Sequence, residues 1–348
     1  MKRREFMTLV GCATAWPLAA RAQQAVKKSL IGILSPGRSK LPDSTFNMLT
    51  AFLHGLHELG YTENQNIIVE RRYAEWSPDR LRDLATDLVE RKVDVVVAVS
   101  TTAARAARQA TGAISIVGIG MADPIADELV TSLAQPGGNV TGTTFLGPEL
   151  VAKRLQLLRE VVPGLSRVAA LWHPNAYSER TMTSALNELE LAARIMGMQL
   201  QLVPAVSPDD IADAFVAISA EALIVMPSPM LFGEYPRIAS LASSSRLPAM
   251  GAAREFVDFG GLISYGVNLP DLARQTAAYV DKILKGAKPT ELPVQQPTRF
   301  ELVINLKTAR ELGLTISREF LLLADDVIEY ESSCRRPCSW HSRAVRFG

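Results

Sequence analysis

The sequence predicts an α/β protein built as two doubly wound lobes with a central cleft. Three observations carry this. Short apolar, β-branched runs alternate with segments of helical periodicity, the pattern of parallel strands joined by helical crossovers. The alternation runs through 29–143 and starts again after 148. The length, 348 residues, suits about two domains at roughly 150 residues each. Hydrophobic residues at 48% and charged residues at 21% are those of a folded chain, able to bury a core.

In the first half, 29–35 (SLIGILS) is an apolar run ending in a Pro-Gly turn, hence a buried strand. Residues 44–59 repeat Phe46, Leu49, Phe52, Leu53 and Leu56 at helical spacing and stop at Gly60. A strand follows at 66–73. Ser77-Pro78 places an N-cap before a proline, opening a helix that runs to about 91. Residues 93–99 (VDVVVAV) form a strand covered on both faces. A helix over 101–110, a strand over 114–119, a helix over 123–133 and a strand over 140–143 complete the unit.

The second half repeats this grammar without repeating the sequence. Helices are expected at 148–162, 176–196, from Ser207-Pro208 with Asp210 in the capping-box position, and at 231–243. Strands are expected at 167–172, 199–203, 222–226, 247–250 and 261–265. Then come a helix at 268–284, a strand at 300–304 and a helix at 307–312. The expected division is 29–145 plus about 267–290 in one lobe, and 146–266 plus about 291–330 in the other.

The ends differ from the body. Lys2, Arg3 and Arg4, an apolar stretch over 6–18, and Ala20-Arg21-Ala22 read as a signal peptide over 1–22, cleaved before Gln23. Arg3-Arg4-Glu5-Phe6-Met7 also resembles a twin-arginine signal. Leu9-Val10-Gly11-Cys12 is a competing lipobox that would anchor the chain at Cys12, but its apolar run is short. Residues 331–348 lose all periodicity and read as a disordered tail. Cys334, Cys338 and His341 there offer a weak metal set, or a pair of cysteines that join in an oxidising compartment.

Charge and motifs exclude several function classes. Lys+Arg 37 against Asp+Glu 36 gives none of the basic excess of a nucleic-acid binder. Three cysteines exclude a disulfide scaffold and a four-cysteine zinc site. The G-x-S-x-G elbow, H-E-x-x-H and Walker A patterns are missing, and Gly118-x-Gly120 lacks the third glycine of a dinucleotide fingerprint. His54 and His57 share a helix face without a carboxylate partner, and His173 has no nucleophile motif to serve. No catalytic residue, metal or cofactor is expected.

Ligands of open α/β sheets sit at the carboxyl ends of the strands. That selects Ser35, then Thr101, Thr102 and Ala103 at a helix start suited to an anion. It also selects Asp123, which either accepts from a ligand ammonium or caps a helix; the sequence leaves both open. In the second lobe the same rule selects Asn175, Ser228 and Tyr265. Tyr265, Phe232 and Trp76 are the aromatic side chains placed for stacking.

The exported start, the SLIGILSPG strand, the repeated lobes, 123–142 (DPIADELVTSLAQPGGNVTG) and 300–314 (FELVINLKTARELGL) resemble the solute-binding proteins of ABC importers. They are similar to the group with tryptophan- and tyrosine-binding members. The resemblance covers about residues 1–330 and implies a periplasmic-binding fold of type I, with Rossmann-like lobes, three crossovers and hinge closure. It implies a periplasmic monomer that hands a small molecule to an inner-membrane ABC permease, with no nucleic-acid partner. The pocket it suggests joins Ser35, Thr101, Thr102 and Asp123 to Asn175 and Ser228. For an amino acid, Thr101, Thr102 and the Ala103 N–H would hold the carboxylate and Asp123 the ammonium. A ligand sensor for a membrane receptor uses the same fold, and an exported α/β enzyme is the third class; the missing nucleophile–base pair counts against it.

Overall fold

A computed structural model describes residues 28–39 and 48–329. The expected signal peptide with Cys12, and the tail with Cys334, Cys338 and His341, lie outside these residues. The two-lobed α/β architecture is observed.

The first lobe carries a parallel sheet of β1 (Ser29–Ser35), β2 (Ile67–Tyr73), β3 (Val95–Val99), β4 (Ser115–Met121) and β5 (Val140–Thr144), in the order β2-β1-β3-β4-β5. Helices α1 (Met48–Glu58), α2 (Pro78–Glu90) and α3 (Thr101–Ala110) make the crossovers. Ile31, Ile33, Val95 and Val97 pack with Phe52 and Leu56 on one face. Leu34, Val96 and Ala98 pack with Leu88, Ala104 and Ala107 on the other. Burial on both faces explains why these strands read as unbroken apolar runs. Between β4 and β5 a close approach requires glycine: a Cβ on Gly142 (φ +131°) would stand 2.1 Å from the Gly118 carbonyl oxygen.

The second lobe carries β6 (Arg167–Trp172), β7 (Gln199–Pro204), β8 (Ala222–Val225), β9 (Ala249–Gly251), β10 (Ile263–Gly266), β11 (Glu301–Asn305) and β12 (Asp326–Ile328). Their order is β12-β11-β10-β9-β8-β6-β7. Helices α4 (Val151–Val161), α5 (Glu179–Ile195), α6 (Asp210–Ala217), α7 (Pro229–Gly233), α8 (Tyr235–Ser244) and α9 (Arg254–Asp258) precede α10 (Leu269–Leu284), α11 (Leu306–Glu311) and α12 (Arg318–Leu321). The chain leaves the first sheet after β5. It returns after β10 to lay α10 against α1 and β4, and the Thr141 hydroxyl donates to the Leu292 carbonyl. It crosses a third time into β11, which therefore meets β10 antiparallel.

The crossings are tied to each other. Arg154 of α4 is buried; its Nε donates to the Tyr265 carbonyl and its Nη1 to the Gly147 carbonyl, both at 2.7 Å. Asn268, the N-cap of α10, donates to Glu301 at the start of β11 at 3.2 Å.

Several expectations need correction. The helix expected over 123–133 is a run of turns. The Pro124 carbonyl accepts from both Leu129 and Val130 N–H, and Glu128 takes φ 56°, which stops a helix after one turn. The single helix expected over 231–243 is two, α7 and α8, broken at Glu234 ahead of Pro236. Asp210 does accept from the Val206 and Ser207 N–H groups, but α6 begins only at Asp210. α9, α12 and β12 span five, four and three residues, too short for periodicity to announce.

Candidate ligand-binding cleft

The strand ends of the two sheets face one another, and two adjoining cavities lie between them. The outer one, about 660 Å³, lies between Trp76, Thr102 and Arg105 of the first lobe and His173, Asn175 and Ser178 of the second. The inner one, about 80 Å³, is walled by Met48, Val99, Ile119, Phe145, Phe232 and Leu269. Pro36, Trp76, Tyr177 and Pro229 line both.

Trp76 reaches this position through backbone pairing. The N–H groups of Ala74, Glu75 and Trp76 donate to the carbonyls of Ser35, Gly37 and Pro36. Glu75 and Trp76 both take left-handed φ, 53° and 67°, at about 1–3 kcal/mol each for non-glycine residues. The indole lies over Gly37, where a Cβ would stand 3.3 Å from the ring. Its Nε1 is buried with no acceptor among the described residues. On the other side, the Tyr177 hydroxyl donates to the Pro227 carbonyl and so fixes that ring.

The first turn of α3 points its free N–H groups at the cleft. Ser100 precedes it at φ 84°, ψ 169° without a side-chain cap, and its Oγ lies 3.0 Å from Thr102 Oγ1. Thr101 lines the inner cavity, but its Oγ1 already accepts from the Ala122 N–H at 2.8 Å. Along α3, Thr102, Arg105, Ala106 and Gln109 form the stripe that walls the outer cavity.

The structure brings Ser35, Thr101, Thr102 and Asn175 to the cavity walls. Ala103 is buried in the first-lobe core, leaving only its N–H for a ligand. Asp123 lines neither cavity: its Oδ1 accepts from the Ile125 and Ala126 N–H groups at 3.1 and 2.9 Å. This is the capping alternative, made to a turn. Ser228 is buried and caps α7, accepting from Leu231 N–H; its neighbour Pro229 faces the cavities. Tyr265 lies away from both, its ring 6.0 Å from Phe300 and its carbonyl held by Arg154. Of the aromatic candidates, Trp76 and Phe232 line the site and Tyr265 does not.

Sequence reasoning missed Arg105, Tyr177, Met48 and Phe145. The i, i+3, i+4, i+7 spacing of Thr102, Arg105, Ala106 and Gln109, on a helix otherwise rich in alanine, was the available signal for Arg105. His173 lines the outer cavity, where burial pushes its imidazole down to about 4 and keeps it neutral; its buried Nδ1 has no hydrogen-bond partner among the described residues. Among the described residues, no group of three or more His, Cys, Asp or Glu is placed to hold a metal ion.

Two α/β lobes meeting at their strand ends around a walled cleft define a two-lobed solute-binding fold. Residues 42–328 match the family model described as ABC transporter substrate binding protein, and the chain belongs to that family. A tyrosine-binding protein of Clostridioides difficile (strain R20291) is 23% identical over 270 residues, covering 76% of this chain and 75% of that one. A conserved domain protein of Vibrio cholerae O1 biovar El Tor aligns with TM-score 0.79 and 29% identity over 86% of this chain and all of that one. A Streptococcus pneumoniae ABC domain in complex with L-Trp aligns with TM-score 0.78 and 28% identity over 87% of this chain and all of that one.

Proposed function

We propose that the chain is the extracytoplasmic solute-binding component of an ABC importer. It captures an amino acid or a related small molecule between the lobes, closes by bending at the three crossings, and delivers the solute to a membrane permease. The observation that carries this reading is the pairing of an apolar inner cavity with a larger outer one of more mixed lining between the strand ends. Family membership and the tryptophan- and tyrosine-binding relatives support it. Within the site, Ser35, Thr102 and the first N–H groups of α3 face the polar end of the ligand, Asn175 approaches from the second lobe, and Trp76 and Phe232 hold the apolar part. The charged start of the sequence supports export to the periplasm.

The test is a thermal-shift screen of the purified chain against amino acids, purines, short amides and aromatic acids. A ligand at 100 times its Kd stabilises the folded state by about 2.7 kcal/mol. The expected outcome is a raised Tm with at least one compound, weakened by Thr102→Val. No shift across the panel contradicts the reading.

A further inference from the structure

The inner cavity is apolar and small. Met48, Val99, Ile119, Phe145, Phe232 and Leu269 wall it, and its volume is about 80 Å³. An engineered protein cavity that holds one benzene has about 150 Å³. On that scale the inner cavity takes a branched alkyl group of about three or four carbons, and a phenyl or indole ring exceeds it.

The walls are backed by close packing. The Phe232 ring meets Phe145 edge-on at 6.4 Å and Tyr235 at 5.3 Å between centroids. Tyr235 is fully buried, lies 5.0 Å from the Phe256 ring, and its hydroxyl accepts from the Ala252 N–H. Phe232 therefore has a fixed ring behind it. Val99 and Ile119 are register partners on β3 and β4, so their positions are set by the sheet. Forcing a larger group against walls packed this way strains side chains and backbone.

The two cavities meet beside the start of α3: Ser100 and Thr101 line the inner one and Thr102 the outer. A polar end group held there can send its side chain into the inner cavity. The outer cavity has a mixed lining, with Arg82, Arg105, Gln109, Asn175 and Glu179 among its walls. An apolar group gains less there, because it keeps polar neighbours from water.

Resting on the interlobe site proposed above, we propose that the inner cavity selects the solute by size: it admits a branched aliphatic side chain, as in valine or isoleucine, and excludes an aromatic one.

Calorimetric titration of the full chain with L-valine, L-isoleucine, L-phenylalanine and L-tryptophan tests this. All four carry the same ammonium and carboxylate and differ in the side chain alone. The expected order places valine or isoleucine at least tenfold tighter than both aromatic amino acids. Phe145→Ala, which enlarges the cavity, is expected to remove that tenfold gap. Val99→Ile, which fills part of it with one methyl group, is expected to weaken isoleucine more than valine, and it keeps the test valid if Phe145→Ala fails to fold. Phenylalanine or tryptophan binding the native chain as tightly as the aliphatic pair overturns the size limit and leaves the solute-binding reading intact. A ranking unmoved by either variant overturns the inner cavity as the seat of the side chain. Absence of binding by all four overturns this solute class, and absence across the wider screen overturns the solute-binding reading as well.

Discussion

The Asp127 carboxylate, on the first lobe, accepts a hydrogen bond of 3.0 Å from the Thr181 hydroxyl, on the second. The same Oδ1 accepts from the Ser178 N–H at 3.2 Å, so a first-lobe carboxylate sits at the N-terminus of α5. Helix dipole and free donors both favour it there. Because the contact spans the lobes, a rotation that opens the cleft is expected to break it. Asp127→Ala is therefore expected to weaken ligand binding by about tenfold, since charge-assisted hydrogen bonds contribute roughly 1.5–3 kcal/mol. Calorimetry checks this; an unchanged Kd would show that the contact does not favour closure.

Arg154 gives a stability prediction. Its guanidinium serves the Gly147 and Tyr265 carbonyls beside two of the crossings. Arg154→Met keeps the apolar stem and removes both donors. Each carbonyl left without a donor costs about 1–3 kcal/mol, so a loss of roughly 2–6 kcal/mol is expected. Chemical denaturation measures it; a loss under about 1 kcal/mol contradicts the role.

His173 gives a pH dependence. Burial lowers its pKa from 6.5 to about 4, so the folded form resists a proton that the solvated imidazole accepts. The unfolded chain binds more protons as pH falls below 6.5. The folded form therefore loses stability between pH 6.5 and about 4, and is unaffected by this group above that window. His173→Asn is expected to flatten that part of the Tm–pH curve relative to the native chain. Parallel curves for the two proteins would contradict it.

Most of the fold was legible because the strands are apolar on both faces and the helices are amphipathic and capped by Ser77, Ser178 and Asn268. What was hidden depends on contacts distant in sequence. Asp127 lies in a segment with helical spacing, yet its carboxylate reaches α5 across the cleft. Arg154 falls in a segment that the sequence marks only as a helix, and only the fold brings Gly147 and Tyr265 to it. Trp76 could be suspected as an aromatic, but its position requires two successive left-handed residues without a glycine. The strand-end rule selected Ser35 and Thr102, which line the cavities, from local sequence; it also selected Asp123 and Ser228, whose side chains are used by nearby backbone N–H groups.

The most direct test of binding between the lobes is intrinsic tryptophan emission titrated with the compound that gives the largest thermal shift. Trp76 lines both cavities, so ligand entry should change its emission in proportion to occupancy. The expected result is a saturable change in the native chain that is largely lost in Trp76→Phe, while that variant still binds by calorimetry. A change of the same size in Trp76→Phe, or a ligand that binds without altering the native emission, would place the solute elsewhere.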